Sequence, residues 1–548
     1  SMGLSAVNVW RAVMLAGGLA CLAVGTVVQA QGARFADGFE PVGQRSLTQF
    51  EAARILTQAT YGPTPAEIAA LQQSDLETWF NNQLSAPISL QRPFLENLAA
   101  TQGVTNGDRR SRWGSIAIYG EDQLRQRVAW ALSQILVISQ QGMGNDIFGL
   151  AEYYDLLARN AFGNYRQLLE EVSLSPQMGR YLSHLRNRKA NPNRGTLPDE
   201  NYAREIMQLF SIGLVKLNLD HTPMLDNQGQ PLPTYDQTVI GEMAKIFTGW
   251  TYANSETFFR AEVNYLPMVC FEEEHEPGEK VLLDGAVVPA GQSCEEDLTD
   301  ALDIIFNHPN VGPFISRQLI LKLVTSNPPP EYVARVAQVF NNNGSGVRGD
   351  LEAVVRAILF DPVARGMAQP APYGRPREPL LKLIAMYRAF NAVPAPDGRS
   401  VNIPTGPYAQ SPLFAPTVFN FYSPSYQAPG EIQQAGLVSP EFQIIDEGTI
   451  ATAANHLFNQ GWNGNTGQTN PPTNRPAVNV EDLIPLLDDP AVLVDELDLR
   501  MLHGSMSSAL RQALIATVEA YPSFGNDDRK VYGLIHLLLV SPEFAVQR

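Results

Sequence analysis

The stretch PDENYAREIMQLFSIG, Pro198–Gly213, packs Glu200, Asn201, Arg204, Glu205 and Gln208 into two helical turns. Carboxylates beside a guanidinium can move protons and orient a polar ligand. Glu200, Arg204 and Glu205 are therefore candidate catalytic groups, with Asn201 and Gln208 as candidate ligand-binding groups. At 100° per residue these five share one helix face, while Ala203, Ile206, Met207 and Phe210 share the other. A solvated amphipathic helix also explains the pattern. An acid near the N-terminus suits the helix dipole, and Glu200 with Arg204 makes an i,i+4 pair. Burial separates the readings, because charges covered by another layer need partners.

HEPGEK, His275–Lys280, offers His275 and Glu276 as candidate metal ligands. It is no zinc-protease helix, since a second His is absent and Pro277-Gly278 breaks the helix. A structural turn is the plainer reading. HPNVGPF places His308 before a proline, with Arg317 on the following helix. His308 is a candidate general acid–base and Arg317 a candidate ligand-binding group; a helix-end hydrogen bond is the structural alternative. His184 is expected to be a buried, hydrogen-bonded histidine; Glu378 in REPLL opens a helix and could pair with Arg377 or a remote Arg, with an ordinary cap the plainer reading. FNFYSP (419–424) with Trp250 could line a carbohydrate or peptide groove, although aromatics at this density more often form core. The sequence has no GxSxG elbow, P-loop, GxGxxG after a strand, EF-hand loop or CxxCH haem site. Nucleotide-dependent chemistry and lipase-type hydrolysis lose ground, and no cofactor is assigned.

The elements that must position these groups are mostly helices. SLTQFEAARILTQATYG offers Ser46 or Thr48 as N-cap, and Thr64 with Pro65 starts the next helix. EDQLRQRVAWALSQILVIS (121–139) turns almost wholly apolar after Arg127, which predicts a central buried helix. Residues 185–198 have no period; DNQG at 226–229 signals a hairpin tip; and 262–292 mixes short β-like runs with acidic turns. Helical patterns resume from EEDLTDALDIIFNHPN and run to RKVYGLIHLLLVSPEF, interrupted by a Pro- and aromatic-rich stretch at 393–441. The expected fold is mainly α: one large multi-helix core over residues 47–548. It carries a small β-containing insertion at about 220–292 and a mobile loop around 461–477.

Hydrophobic residues make up 44% of the 548 and charged residues 17%, which excludes a disordered or fibrous chain. The formal net charge of −17 opposes nonspecific binding to nucleic acid or anionic membrane. Arg11, the apolar run Ala12–Val28 and Val28-Gln29-Ala30 form a signal-peptide pattern over residues 1–30, followed by a polar tether at 31–46. The run falls short of the ~20 residues a membrane span needs, so no transmembrane segment is expected after cleavage; a retained anchor is the rival. Cleavage removes Cys21 and leaves Cys270 and Cys294, a pair that in an exported chain suggests a disulfide. Two buried free thiols are the alternative. Zinc-ligand spacing is absent.

Several ordered stretches together resemble the bacterial domain-of-unknown-function 1800 (DUF1800) family. They include RILTQATYGPTPAEI (54–68), PDENYAREIMQLFSIGL (198–214), FTGW (247–250), HEPGEK (275–280) and HPNVGPFISRQLILKLVTSNPPPEYVARVAQVF (308–340). RGDLEAVVRAILFDP (348–362), REPLLKLIAMYRAF (377–390), APTVFNFYSP (415–424) and SPEF (541–544) complete the set, over about residues 47–548. The resemblance implies an exported bacterial protein, periplasmic or extracellular, with no reaction attached. Family genes often neighbour those of the domain-of-unknown-function 1501 (DUF1501) family, which implies a DUF1501-family partner outside the cytoplasm. Many members carry a His-rich segment where this chain has VAWALSQILVIS, so a site built there in relatives would be missing here. The leading expectation is an exported accessory protein that binds a partner enzyme or an envelope component. A metal- or acid–base-dependent enzyme acting on an extracellular polymer is the alternative, and a passive envelope protein the third.

Overall fold

The computed structural model describes residues 45–260, 263–366, 372–395, 401–464, 472, 475–520 and 527–548. The expected signal peptide, nearly all of the tether and most of the 461–477 loop lie outside the described residues.

About 51% of the chain is helical, and the β structure consists of short antiparallel pairs, so the fold is mainly α. Local chemistry sets many helix starts. Thr48, Thr64, Thr105 and Ser293 each accept the backbone N–H three residues on, while Glu51, Glu67, Asp108 and Glu296 reach back to the cap N–H. Such reciprocal boxes satisfy two otherwise orphaned donors. Thr48 rather than Ser46 is the first cap. Glu67 has a second task, accepting from Arg388 Nη2 at 2.7 Å and so tying the N-terminal helices to Pro379–Ala389.

All eleven residues of helix Gln123–Ser133 are buried, as its apolar run predicts. The helix ends earlier than the periodicity suggests. Ile135 and Leu136 both donate to Leu132 O, and residues 134–139 continue as buried irregular chain. The run Ile135, Val137, Ile138 is β-branched, which weakens helix continuation. Around this segment one apolar cluster gathers residues from Ala59 to Phe544. A smaller cluster packs Gln49–Ala59 against Pro65–Gln72.

The β insertion is a set of hairpins. Trp250–Thr251 pairs with Val269–Cys270, and Lys280–Val281 with Val287–Val288. Asp284 and Gly285 turn the second hairpin with positive φ. Residues 214–234 form a projecting ladder, with Leu217 opposite Pro223 and Leu225 opposite Pro231; the DNQG stretch is its tip, closed by Asp226 and Gln230. A third pair joins Arg375–Pro376 to Val546–Gln547, so the C-terminal segment lies against the residues described next. Among the described residues no helix is long and apolar enough to cross a membrane.

Candidate functional site

The densest buried ionic centre is built around Glu378. Pro379 occupies the first turn of helix Pro379–Ala389 and holds Glu378 extended (φ −58°, ψ 130°). The Glu378 side chain makes no capping bond, so its carboxylate is free to enter the core. There Oε2 accepts from Trp130 Nε1 at 2.9 Å, Gln134 Nε2 at 3.0 Å and Gln410 Nε2 at 2.7 Å. Oε1 accepts from Arg375 Nη2 at 2.9 Å. The same guanidinium reaches Glu441 Oε1 through Nη2 at 2.6 Å and Nε at 3.1 Å, and its Nη1 donates to Lys322 O. Arg127 Nη2 donates to that carbonyl as well. Lys322 Nζ donates to Gln134 Oε1 at 3.0 Å and sits 4.1 Å above the Tyr422 ring.

Five charged groups thus lie together, each at most 3% exposed: Arg127, Lys322, Arg375, Glu378 and Glu441. Burial pushes the Glu378 carboxyl up, but Arg375, Arg127 and Lys322 outweigh it and hold it at about 2. Burial lowers the Lys322 amine to about 8 despite Glu378 and Glu441. Glu441 is raised by burial, with Arg375 opposing. The centre is not saturated. Arg127 Nη1, Glu441 Oε2, Gln410 Oε1, Asn420 Oδ1 and Tyr422 Oη are buried with no hydrogen-bond partner among the described residues. Unpaired buried atoms are uncommon and costly. The segment covering this centre is strained: Ala409, Leu413 and Asn420 all have positive φ, and such outliers gather at functional sites.

A family model described as "Protein of unknown function (DUF1800)" matches residues 54–546. The chain belongs to the DUF1800 family. No curated protein and no solved structure matches it. The DUF1800 match spans every residue of the Glu378 centre.

Among the described residues of this DUF1800 chain, no hydrogen bond or ion pair joins the 200–208 candidates to His275, His308 or Arg317. On helix Asn201–Gln208, Glu200 and Arg204 pair at 3.2 Å in partly exposed positions, and Gln237 Nε2 donates to Glu200 Oε2 at 2.7 Å. Asn201 is exposed and Gln208 half-buried. Glu205 differs from its neighbours: it is 6% exposed, its Oε2 has no partner, and burial raises its carboxyl. The polar face is therefore wet at Glu200, Asn201 and Arg204 and covered at Glu205.

His308 closes helix Cys294–Asn307, where Nδ1 accepts the Asn310 N–H at 3.1 Å and Nε2 stands 3.7 Å from Asp284. Asn310 explains the HPN sequence better than His308 does. It donates to Ile212 O and Val215 O at 2.7 Å each and accepts from Leu217 N at 2.9 Å, stitching down the exit of the 201–208 helix. Arg317 is half-buried beside His221, and burial lowers it to about 10.

Both His275 nitrogens are engaged. Nε2 meets Asp297 Oδ2 at 2.9 Å, and Nδ1 lies 2.9 Å from Thr248 O. Lys280 joins the same Asp297 oxygen. Glu276 contributes its backbone N–H to Thr248 Oγ1. This arrangement leaves His275 no free nitrogen for a metal. Cys270, Glu272 and Cys294 lie close enough to hold an ion, but the two cysteines are joined in the expected disulfide and offer no thiolate. His184 stacks on Tyr202 at 3.9 Å and bonds Ser173 O through Nε2; its Nδ1 has no partner, and burial lowers it to about 4.

The sequence pattern marks Glu378 as a helix opener with an Arg partner left open, and nothing in its spacing groups Glu378 with Arg127, Lys322, Arg375 and Glu441. One signal was present. Arg127 in QRVAWAL and Lys322 in LILKLV are single charges inside apolar helical runs, where a charge needs a buried partner.

Proposed function

We propose that this DUF1800 protein works outside the cytoplasm as an accessory protein that binds a folded partner, with a DUF1501-family protein as the expected occupant. One observation carries the reading. Two adjacent hairpins expose apolar side chains: Leu214, Met224 and Leu225 on the 214–234 ladder, and the cross-strand pair Val281 and Val287. The hairpins are tied together by Lys216 and Asp284 at 2.8 Å. Apolar side chains grouped on ordered, projecting backbone mark interaction sites more often than singly scattered ones. The Cys270–Cys294 disulfide, which ties this insertion to helix Cys294–Asn307, supports an oxidising compartment.

Affinity capture from the envelope fraction of the native host tests the reading. The wild type should retain a DUF1501-family protein, and the Leu225→Glu/Val287→Glu variant should lose it at an unchanged melting temperature. Identical captures by the two proteins, or recovery of the protein in the cytosol, would overturn it.

A second reading, an acid–base enzyme acting on an extracellular polymer, is favoured by Lys322. An amine lowered to about 8 is partly neutral near that pH and can accept a proton. Mass-mapped carbamylation by cyanate at pH 8 decides whether reagents reach it. An unmodified Lys322 in the folded protein would sink the enzyme reading.

A further inference from the structure

Beside the Glu378 centre, between helix Gln49–Ala59, helix Gln123–Ser133 and the Arg375–Pro376 strand, lies a cavity of about 20 Å³. Arg127, Arg375 and Arg377 all line it, with Glu378 the one carboxylate in the lining and Leu381 and Ala385 as an apolar wall. The lining therefore carries three cations against one carboxylate, and Glu441, just outside it, pairs with Arg375. Glu378 has no capacity to spare, since its two oxygens already accept from Trp130, Gln134, Gln410 and Arg375. Two of the guanidiniums are incompletely paired: Arg127 Nη1 and Arg377 Nε are buried without a hydrogen-bond partner among the described residues. Arg127 itself is 1% exposed. Charge buried without a counter-charge is costly, so such an excess calls for an anion.

Size narrows the class. About 20 Å³ is the room of one water-sized particle, which suits a halide better than a phosphate or sulfate. The surroundings favour negative charge further. Arg377 lies against the Phe544 ring at 4.5 Å and donates to Met501 O at 3.4 Å, so no carboxylate hydrogen-bonds it among the described residues. Burial and then Arg375 lower Arg377 to about 9, and burial followed by Arg377 and Arg54 lowers His503 to about 3. The basic region thus extends from Arg127 through Arg375 and Arg377 toward Arg54.

We propose that this cavity is a binding site for a single chloride-sized anion held by Arg127, Arg375 and Arg377. The site lies apart from the hairpins and shares Arg127 and Arg375 with the Glu378 centre. It joins the N-terminal helices to the 375–378 segment, because Thr57, Thr60 and Tyr61 form the opposite wall.

Thermal melts of the full chain in chloride, bromide, sulfate and gluconate at constant ionic strength test the proposal. Chloride and bromide should raise the melting temperature by a few degrees with a saturable dependence on concentration, and sulfate, which stabilises by exclusion from the surface, and gluconate should show no saturable rise. Arg377→Gln should abolish the halide response. A crystal soaked in bromide should show an anomalous peak against Arg127 Nη1, which decides the matter even if the variant fails to fold. Indifference to halide, an equal saturable rise in sulfate, an undiminished response in Arg377→Gln or an empty cavity in the bromide soak would each overturn the proposal.

Discussion

Arg375 Nη2 lies 2.9 Å from Glu378 Oε1 and 2.6 Å from Glu441 Oε1, so one guanidinium holds two fully buried carboxylates. Glu378 opens a helix, and Glu441 sits in the 3-10 turn Pro440–Gln443, far away in sequence. This bridge fixes the covering segment 401–441 onto the helical core.

Removing one member should therefore cost far more than a surface ion pair. Glu378→Ala leaves Arg375, Arg127 and Lys322 without their shared anion, and breaking a buried pair typically costs about 3–5 kcal/mol. Urea unfolding measures it. A loss below about 1 kcal/mol, the range of exposed pairs, would show that the centre is not ionised as described.

Trp130→Phe deletes a single donor to the same carboxylate and keeps most of the ring packing. A hydrogen bond to a charged group contributes about 1.5–3 kcal/mol, so this variant should fall between wild type and Glu378→Ala. An equal or larger loss than Glu378→Ala would contradict the hierarchy.

Two pH windows follow from the centre. The Lys322 amine titrates at about 8 when folded against 10.5 when unfolded, so the unfolded chain binds more protons between those values. Stability should rise with pH across that window through this group. Glu378 acts at the acid end. Its folded value of about 2 lies below the unfolded 4.5, so its contribution is complete above about 4.5 and is lost as pH falls toward 2. Carbon-13 labelling of the lysine ε-carbons should show two resonances with midpoints near 8, from Lys322 and Lys382, of which one vanishes in Lys322→Arg. A midpoint above 10 would refute the account.

The insertion should open as a unit when its anchors are cut. The Cys270–Cys294 bridge closes a loop with a sequence separation of 24, worth about 3 kcal/mol by chain entropy. Asp297→Ala removes the anion shared by His275 and Lys280, at a further cost of about 3–5 kcal/mol. Hydrogen exchange should report lost protection at residues 268–290 before the central helices respond. Uniform loss across the chain would argue against a separately anchored insertion.

The sequence by itself determined the local grammar. Thr48 and Thr64 cap because a short hydroxyl side chain competes for backbone N–H groups, and the half of helix Gln123–Ser133 that follows Arg127 is buried because its apolar residues leave no wet face. The mainly α architecture, the β insertion and the family were legible for the same reason, since each is written in short-range periodicity and ordered motifs. Only the tertiary structure decided which charges meet. Glu200, Arg204 and Glu205 are neighbours in sequence, yet Glu205 alone is covered. Arg127, Lys322, Arg375, Glu378 and Glu441 are scattered over more than half the chain, and they form one centre because apolar burial brings their helices and loops to a common point. Hydrophobic burial is non-directional, so it can place these groups together without leaving a spacing that a sequence reader could see.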